Sequence, residues 1–242
     1  MEATVGFFGE KTGSNVTAKK EKWIMHYSNA HSILLVGEGD FSFSACLARS
    51  FGSAGNMVAT SRDSEVDLMK KHRTAENHLD ELEGLGCKLL YGIDVKDMQD
   101  DRFLKTKRFD RIIFNFPHAG HDPRYREWDE ELILRHRELL SNFFSSAKCL
   151  LSESGEIHVA HRDDGHYAQW RIRSLARKER LFLKELVEFD KKDYPGYHNK
   201  RGGGIKSNKT FPLGYRSFTF KFSQEDDKLS LLLAKLADLG VH

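Results

Sequence analysis

Ile33-Leu34-Leu35-Val36-Gly37-Glu38-Gly39-Asp40-Phe41-Ser42 decides the fold. A short apolar run breaks into Gly-x-Gly and a helical pattern begins at once. A buried parallel strand turns in this way over a nucleotide-like ligand, because glycine lets the backbone come close and the next helix offers unpaired N–H groups. The third glycine of the dinucleotide fingerprint is absent, since Ser42 stands there. That glycine presses helix on sheet beneath a pyrophosphate. Its loss turns the reading from NAD or FAD toward S-adenosylmethionine, which carries adenosine but no phosphate.

Outward from this stretch, apolar runs alternate with amphipathic ones, the pattern of a doubly wound α/β sheet. Strands are expected near 33–37, 57–61, 88–92, 110–116, 155–160, 182–189 and 215–222, and helices near 41–51, 64–71, 76–83, 128–150, 166–179 and 226–239. Seven strands with a final antiparallel pair predict the class I S-adenosylmethionine-dependent methyltransferase architecture, Rossmann-like and mostly parallel. Residues 1–22 read as a flexible arm, 23–222 as the methyltransferase domain and 223–242 as an amphipathic helix. In that tail Leu229, Leu232, Leu233, Leu236 and Leu239 recur at helical spacing, suited to docking on the core.

A chain of 242 residues suffices for one sizeable α/β domain. Its net charge of +2 excludes a global basic field, so contacts to nucleic acid must come from local clusters. No 18-residue apolar run or secretory segment is seen, which implies a soluble intracellular protein without membrane partners. Cys46, Cys87 and Cys149 are scattered among apolar residues and read as buried thiols.

In open α/β sheets the ligand lies beyond the C-terminal strand ends. After the first strand these are Gly37, Glu38, Gly39, Asp40 and Phe41. After the second come Ser61 and Asp63, the latter roughly 24 residues past Gly39, where a carboxylate takes ribose hydroxyls. After the third comes Asp94, suited to the adenine amino group. For Asp63 helix capping is an equally good use of the carboxylate, and for Asp94 capping is the second reading behind the ligand role. The fourth strand ends in Asn115-Phe116-Pro117-His118, a specific break. Proline fixes its own φ and holds the preceding residue extended, which aims Asn115, the Phe116 carbonyl and His118 at one point.

The segments Leu35–Ser44, Ala59–Ser61, Phe114–His118 and Tyr194-Pro195-Gly196-Tyr197 resemble the 25S ribosomal RNA uridine-N3 methyltransferase family, which includes many plant proteins. The likeness runs from about Ser32 to Phe222. It implies a class I fold, S-adenosylmethionine as donor, a uridine N3 of large-subunit rRNA or a pre-ribosomal particle as acceptor, and a nucleolar or cytoplasmic setting. By the same resemblance Gly37, Gly39, Asp40 and Phe41 line the methionine side, and Asn115 through His118 face the base.

Uridine N3 carries a proton and attacks poorly until it is lost, so a base near it is expected. His118 is the first candidate, with His121 and Asp122 in reserve, and Asn115 orients the imide edge. For RNA, Arg124 and Arg126 alternate with aromatics, while Tyr194, Tyr197, Lys200, Arg201 and Lys206 offer rings and cations on a glycine-rich loop. Arg171, Arg173, Arg177, Lys178 and Arg180 on one helix read first as a solvated face. No metal is expected, because the pairs His118/His121 and His158/His161 follow different strands. Two other readings remain open: an inactive RNA- or ribosome-binding module on the same fold, and a nicotinamide oxidoreductase, against which stand Ser42 and the lack of a Tyr-x-x-x-Lys pair.

Overall fold

The structure is a computed structural model, and it describes residues 20–201, 208–214 and 216–224. A two-stranded hairpin, β1 (Trp23–Ile24) and β2 (Tyr27–Ser28), precedes a seven-stranded sheet. The sheet strands are β3 (Ile33–Leu35), β4 (Met57–Thr60), β5 (Lys88–Leu90), β6 (Phe109–Asn115), β7 (Leu151–Arg162), β8 (Phe182–Glu188) and β9 (Ser217–Ser223). Their spatial order is β5-β4-β3-β6-β7-β9-β8, with β9 running antiparallel to the other six. After β5 the chain returns to the other side of β3, so the order reverses between β3 and β6. Ligands bind at such a switch point. All seven strands expected along the chain are present, the last of them antiparallel, and the topology is that of class I methyltransferases.

Strand β3 is buried on both faces, as an apolar run inside a parallel sheet must be. Leu34, Ile112 and Phe114 face a core completed by Phe143, Phe144 and Trp170. Ile33, Leu35 and Ile113 face a second core with Phe41, Phe43 and Leu47. Helix α1 (Ser42–Phe51), α2 (Glu65–Lys71) and α3 (Ala75–Gly84) carry the second core, and α4 (Glu130–Leu150) and α5 (Ile172–Lys178) the first. Helix α4 buries Leu132, Ile133, His136, Leu140, Phe143, Phe144 and Ala147 at helical spacing, one long stripe.

Three expectations change. Residues Glu21 and Lys22 are not part of an arm: Ser28 Oγ donates to Glu21 Oε1 at 2.6 Å and Lys22 Nζ donates to the Phe51 carbonyl at 2.9 Å. The single helix expected over 166–179 is a 3-10 turn, Tyr167–Trp170, then Arg171 in the left-handed region at φ 55°, then α5. Cys149 is exposed, whereas Cys46 and Cys87 are buried as expected. Residues 1–19 of the expected arm and the 226–239 helix lie outside the described residues. Among those described, no helix is long and apolar enough to cross a membrane.

Candidate active site

The tips of β3, β4 and β6 are zipped together. Val36 N–H donates to the Ile113 carbonyl at 2.8 Å and Glu38 N–H to the Thr60 carbonyl at 2.8 Å. Ser61 is buried, and its Oγ donates to the Glu38 carbonyl at 2.9 Å. The Gly-x-Gly loop and the Asn-Phe-Pro-His turn thus leave the same sheet edge side by side. Gly37 is obligatory on two counts: its φ is +66°, and a Cβ there would sit 2.6 Å from Phe114 Cε2. At Gly39 a Cβ would meet Lys200 Cβ at an ordinary 3.5 Å, so close backbone approach is its only demand.

Glu38 is half-buried at the loop crest, and burial pushes its carboxyl up to about 7, while the Ser44 N–H at 3.3 Å partly restrains it. Asp40 and Phe41 differ from expectation. Both side chains are buried beneath the loop. Asp40 Oδ1 accepts from Ser42 N–H at 3.1 Å and Oδ2 from Thr74 Oγ1 at 2.9 Å, which fastens α1 to α3. Phe41 is left-handed at φ 59° and lies in the core. Their side chains point away from solvent, and it is their backbone that stays near the loop. Asp63 is not a helix cap, because Ser64 caps α2, and it pairs with Lys71. Asp94 accepts from Lys96 N–H at 3.0 Å and lies 3.4 Å from Arg62 at the exposed end of β5. Sequence reasoning missed His72, which is buried near Gly39 with neither ring nitrogen hydrogen-bonded.

At the tip of β6, Asn115 Nδ2 is buried without a hydrogen-bond partner. A donor left unmade there costs free energy and is a natural place for a ligand acceptor. Phe116 is not extended as a residue before proline should be. Its φ is +48°, and its ring packs edge-on against Phe189 at 5.1 Å and Phe211 at 5.6 Å. Those contacts hold a bulky residue in a region it otherwise avoids, at about 1–3 kcal/mol. Pro117 is buried behind it.

His118 is not poised as a base. Its Nδ1 accepts Gly120 N–H at 3.1 Å and its Nε2 donates to Glu127 Oε2 at 3.1 Å. A backbone N–H can only donate, so the lone pair is covered and the proton sits on Nε2. The same device fixes His136, whose Nδ1 accepts Ala119 N–H at 3.1 Å while Nε2 faces Glu127 at 3.7 Å. The hydrogen bond from His118, with His136 beside it, holds the Glu127 carboxyl well below the usual range. His118, Glu127 and His136 have metal-like spacing, within 4.8 Å of one another. Their tautomers oppose such use, because both rings turn N–H rather than a lone pair to the centre, and metal-bound imidazoles do the reverse. His136 stacks on Trp170 at 3.8 Å, and Trp170 meets His161 at 4.4 Å. The apolar stripe of α4 contains His136, and that was the available signal for this cluster.

The residues expected to meet RNA divide. Arg124 is exposed but clamped on Asp122 at 2.7 Å, and Arg126 lies over the exposed Trp128 ring at 5.5 Å. Tyr194 and Tyr197 are not free stacking rings: both are buried, packed on Phe43 at 4.9 and 5.2 Å. Lys200 is folded inward, with Nζ donating to the Asn208 carbonyl at 3.0 Å. Arg201 is exposed, and Lys206 lies outside the described residues.

Comparison with known proteins gives the chain its family. A family model described as rRNA (uridine-N3-)-methyltransferase BTM5-like matches residues 34–201. The "Heavy metal-associated isoprenylated plant protein 41" of Arabidopsis thaliana is 47% identical over 206 residues, 85% of this chain; the chain spans only 40% of that relative's length. The "25S rRNA (uridine(2634)-N(3))-methyltransferase" of Saccharomyces cerevisiae is 26% identical over 231 residues, covering 74% of this chain and 68% of the yeast protein. The crystal structure of NSun6 from Pyrococcus horikoshii superposes with a TM-score of 0.53 at 17% identity, over 81% of this chain and 49% of that one, a likeness of fold. With a matched region that runs from β3 through the Asn-Phe-Pro-His turn to the Tyr194–Arg201 segment, the chain belongs to the rRNA (uridine-N3-)-methyltransferase BTM5-like family.

Proposed function

We propose that this chain is an S-adenosylmethionine-dependent methyltransferase acting on N3 of a uridine in large-subunit rRNA. The reading rests on one observation above the others: Asn115 presents a buried, unpartnered amide N–H beside the Gly-x-Gly loop. Such a donor fits a pyrimidine carbonyl next to the attacked nitrogen.

The residues at the strand tips fit the cofactor. Gly37 and Gly39 leave the backbone bare, and Glu38, Asp63 and Asp94 stand along three consecutive strand ends in the order methionine, ribose, adenine. When bound there, S-adenosylmethionine supplies a methyl group on a positively charged sulfur. The chain's own part is orientation. Asn115 holds the imide edge, strained Phe116 and buried Pro117 fix the turn, and the His118–Glu127 pair braces it from outside. Placing nucleophile and methyl in line supplies most of the acceleration in such transfers. A uridine modified on its pairing edge must leave its helix first. Exposed Arg126, Trp128 and Arg201, with Arg124, stand where the flanking strand would pass.

Incubation of the purified chain with labelled S-adenosylmethionine and unmodified 25S rRNA tests this. Label recovered as 3-methyluridine, and lost in Asn115→Ala, supports it. Label in another nucleoside, or none at all with cofactor bound, overturns the acceptor.

A further inference from the structure

Beside the β6 turn, beyond the C-terminal end of β7, lies a cleft of about 270 Å³. Its walls include His161, Arg162, Asp163, Tyr167, Arg171 and Arg173. Register places it: Asn115 pairs with Ala160, and the next residues of β7 are His161 and Arg162. A ladder of rings joins the two places, His118 to His136 at 4.4 Å, His136 to Trp170 at 3.8 Å, Trp170 to His161 at 4.4 Å and His161 to Tyr167 at 5.7 Å.

The cleft is cationic after its internal pairs are counted. Arg162 is held by Asp164 at 2.9 Å and lies over the Tyr167 ring at 4.3 Å. Asp163 is shared at a distance by Arg173 at 3.8 Å and Arg216 at 3.7 Å. Arg171 is exposed and has no carboxylate partner among the described residues. Four guanidinium groups therefore face two carboxylates. His161 lies 3% exposed on the inner wall, with Nε2 unpartnered. Burial keeps it neutral, pushed down to about 3, so it offers a hydrogen bond and not a charge.

We infer that this cleft holds one unpaired ribonucleotide next to the methylated uridine, its base on the Arg162 guanidinium that Tyr167 backs, its phosphate between Arg171 and Arg173, and His161 on the base or 2′-hydroxyl. This rests on the RNA-methyltransferase reading and extends it to a second nucleotide subsite. The chemistry suits single-stranded RNA, which is bound by rings that stack bases and cations that hold the backbone. Arginine adds planar, bidentate contact to phosphate. The space admits one nucleotide and not a stacked helix, as a flipped target with a splayed neighbour requires. On this reading part of the α5 arginine set is a binding face: Arg171 and Arg173 enter the cleft, while Arg177 lies 6.0 Å over Phe182, outside it.

The test is fluorescence anisotropy with a labelled single-stranded oligouridylate, its DNA counterpart as competitor, and S-adenosylhomocysteine titrated separately. Arg171→Glu lowers RNA affinity at least about tenfold and the salt slope by about one, with Arg171→Gln intermediate. Tyr167→Phe stays within about twofold of the parent, whereas Tyr167→Leu loses at least about fivefold. S-adenosylhomocysteine affinity and the unfolding midpoint stay unchanged in the Arg171 variants. RNA affinity unaltered by Arg171→Glu, in a parent that binds and methylates RNA, overturns the cleft and leaves the methyltransferase reading standing. A parent that binds S-adenosylhomocysteine but no RNA overturns both. DNA competing as well as RNA overturns the 2′-hydroxyl contact of His161.

Discussion

His118 and Glu127 meet at 3.1 Å across the outer side of the β6 turn, and Gly120 N–H closes the other nitrogen of the same imidazole. The pair works as a brace: the carboxylate is held by one imidazole N–H and faced by a second. Replacing His118 by Ala, or Glu127 by Gln, should lower kcat about tenfold through misplacement of the turn. The pH dependence of kcat should keep its shape. A limb near neutrality that vanishes in His118→Ala would instead make His118 the base.

The two glycines of the loop should respond differently. Gly37→Ala forces a side chain into φ +66° and against Phe114, so urea unfolding should show a loss of about 1–3 kcal/mol. Gly39→Ala meets only ordinary contacts and should fold within about 1 kcal/mol of the parent. Its deficit should appear in S-adenosylhomocysteine affinity. Equal stability losses for both would contradict this division.

Stability should fall on mild acidification. Burial pushes His158 down to about 4 and His161 to about 3, from an ordinary 6.5. Between those values the unfolded chain binds protons that the folded chain refuses, so stability is complete above about pH 6.5 and declines below it. Each histidine contributes up to about 1.4 kcal/mol per pH unit in that window. Urea unfolding at about pH 7.5 and about pH 5 measures the decline, and His161→Gln should reduce it. An identical pH slope in parent and variant would refute the assignment.

Trp170 fills the joint between α4, β7 and the His136 ring, and it is 1% exposed. Trp170→Ala should cost about 3–5 kcal/mol, and Trp170→Phe much less. Thermal unfolding of the two variants checks the order.

The strand tips were legible in the sequence because each signal is local. An apolar run ending in Gly-x-Gly, or in Asn-Phe-Pro-His, marks where a parallel strand stops and which residues lie beyond it. What stayed hidden depends on distant partners. Nothing near Tyr194 or Tyr197 says that both rings bury themselves on Phe43, far earlier in the chain. Asp40 and Phe41 have the spacing of ligand residues, yet Thr74 and the core of α1 claim their side chains. The capped lone pair of His118 follows from the path of the backbone at Gly120, which periodicity cannot supply. Phe116 overrides the local preference set by Pro117 because two rings from other segments hold it.

The acceptor and the role of Asn115 are read together by mass spectrometry of nucleosides from large-subunit rRNA in cells lacking this protein. Loss of 3-methyluridine is expected, restored by the parent chain and not by Asn115→Ala. Undiminished 3-methyluridine, or restoration by the Asn115 variant, would contradict it.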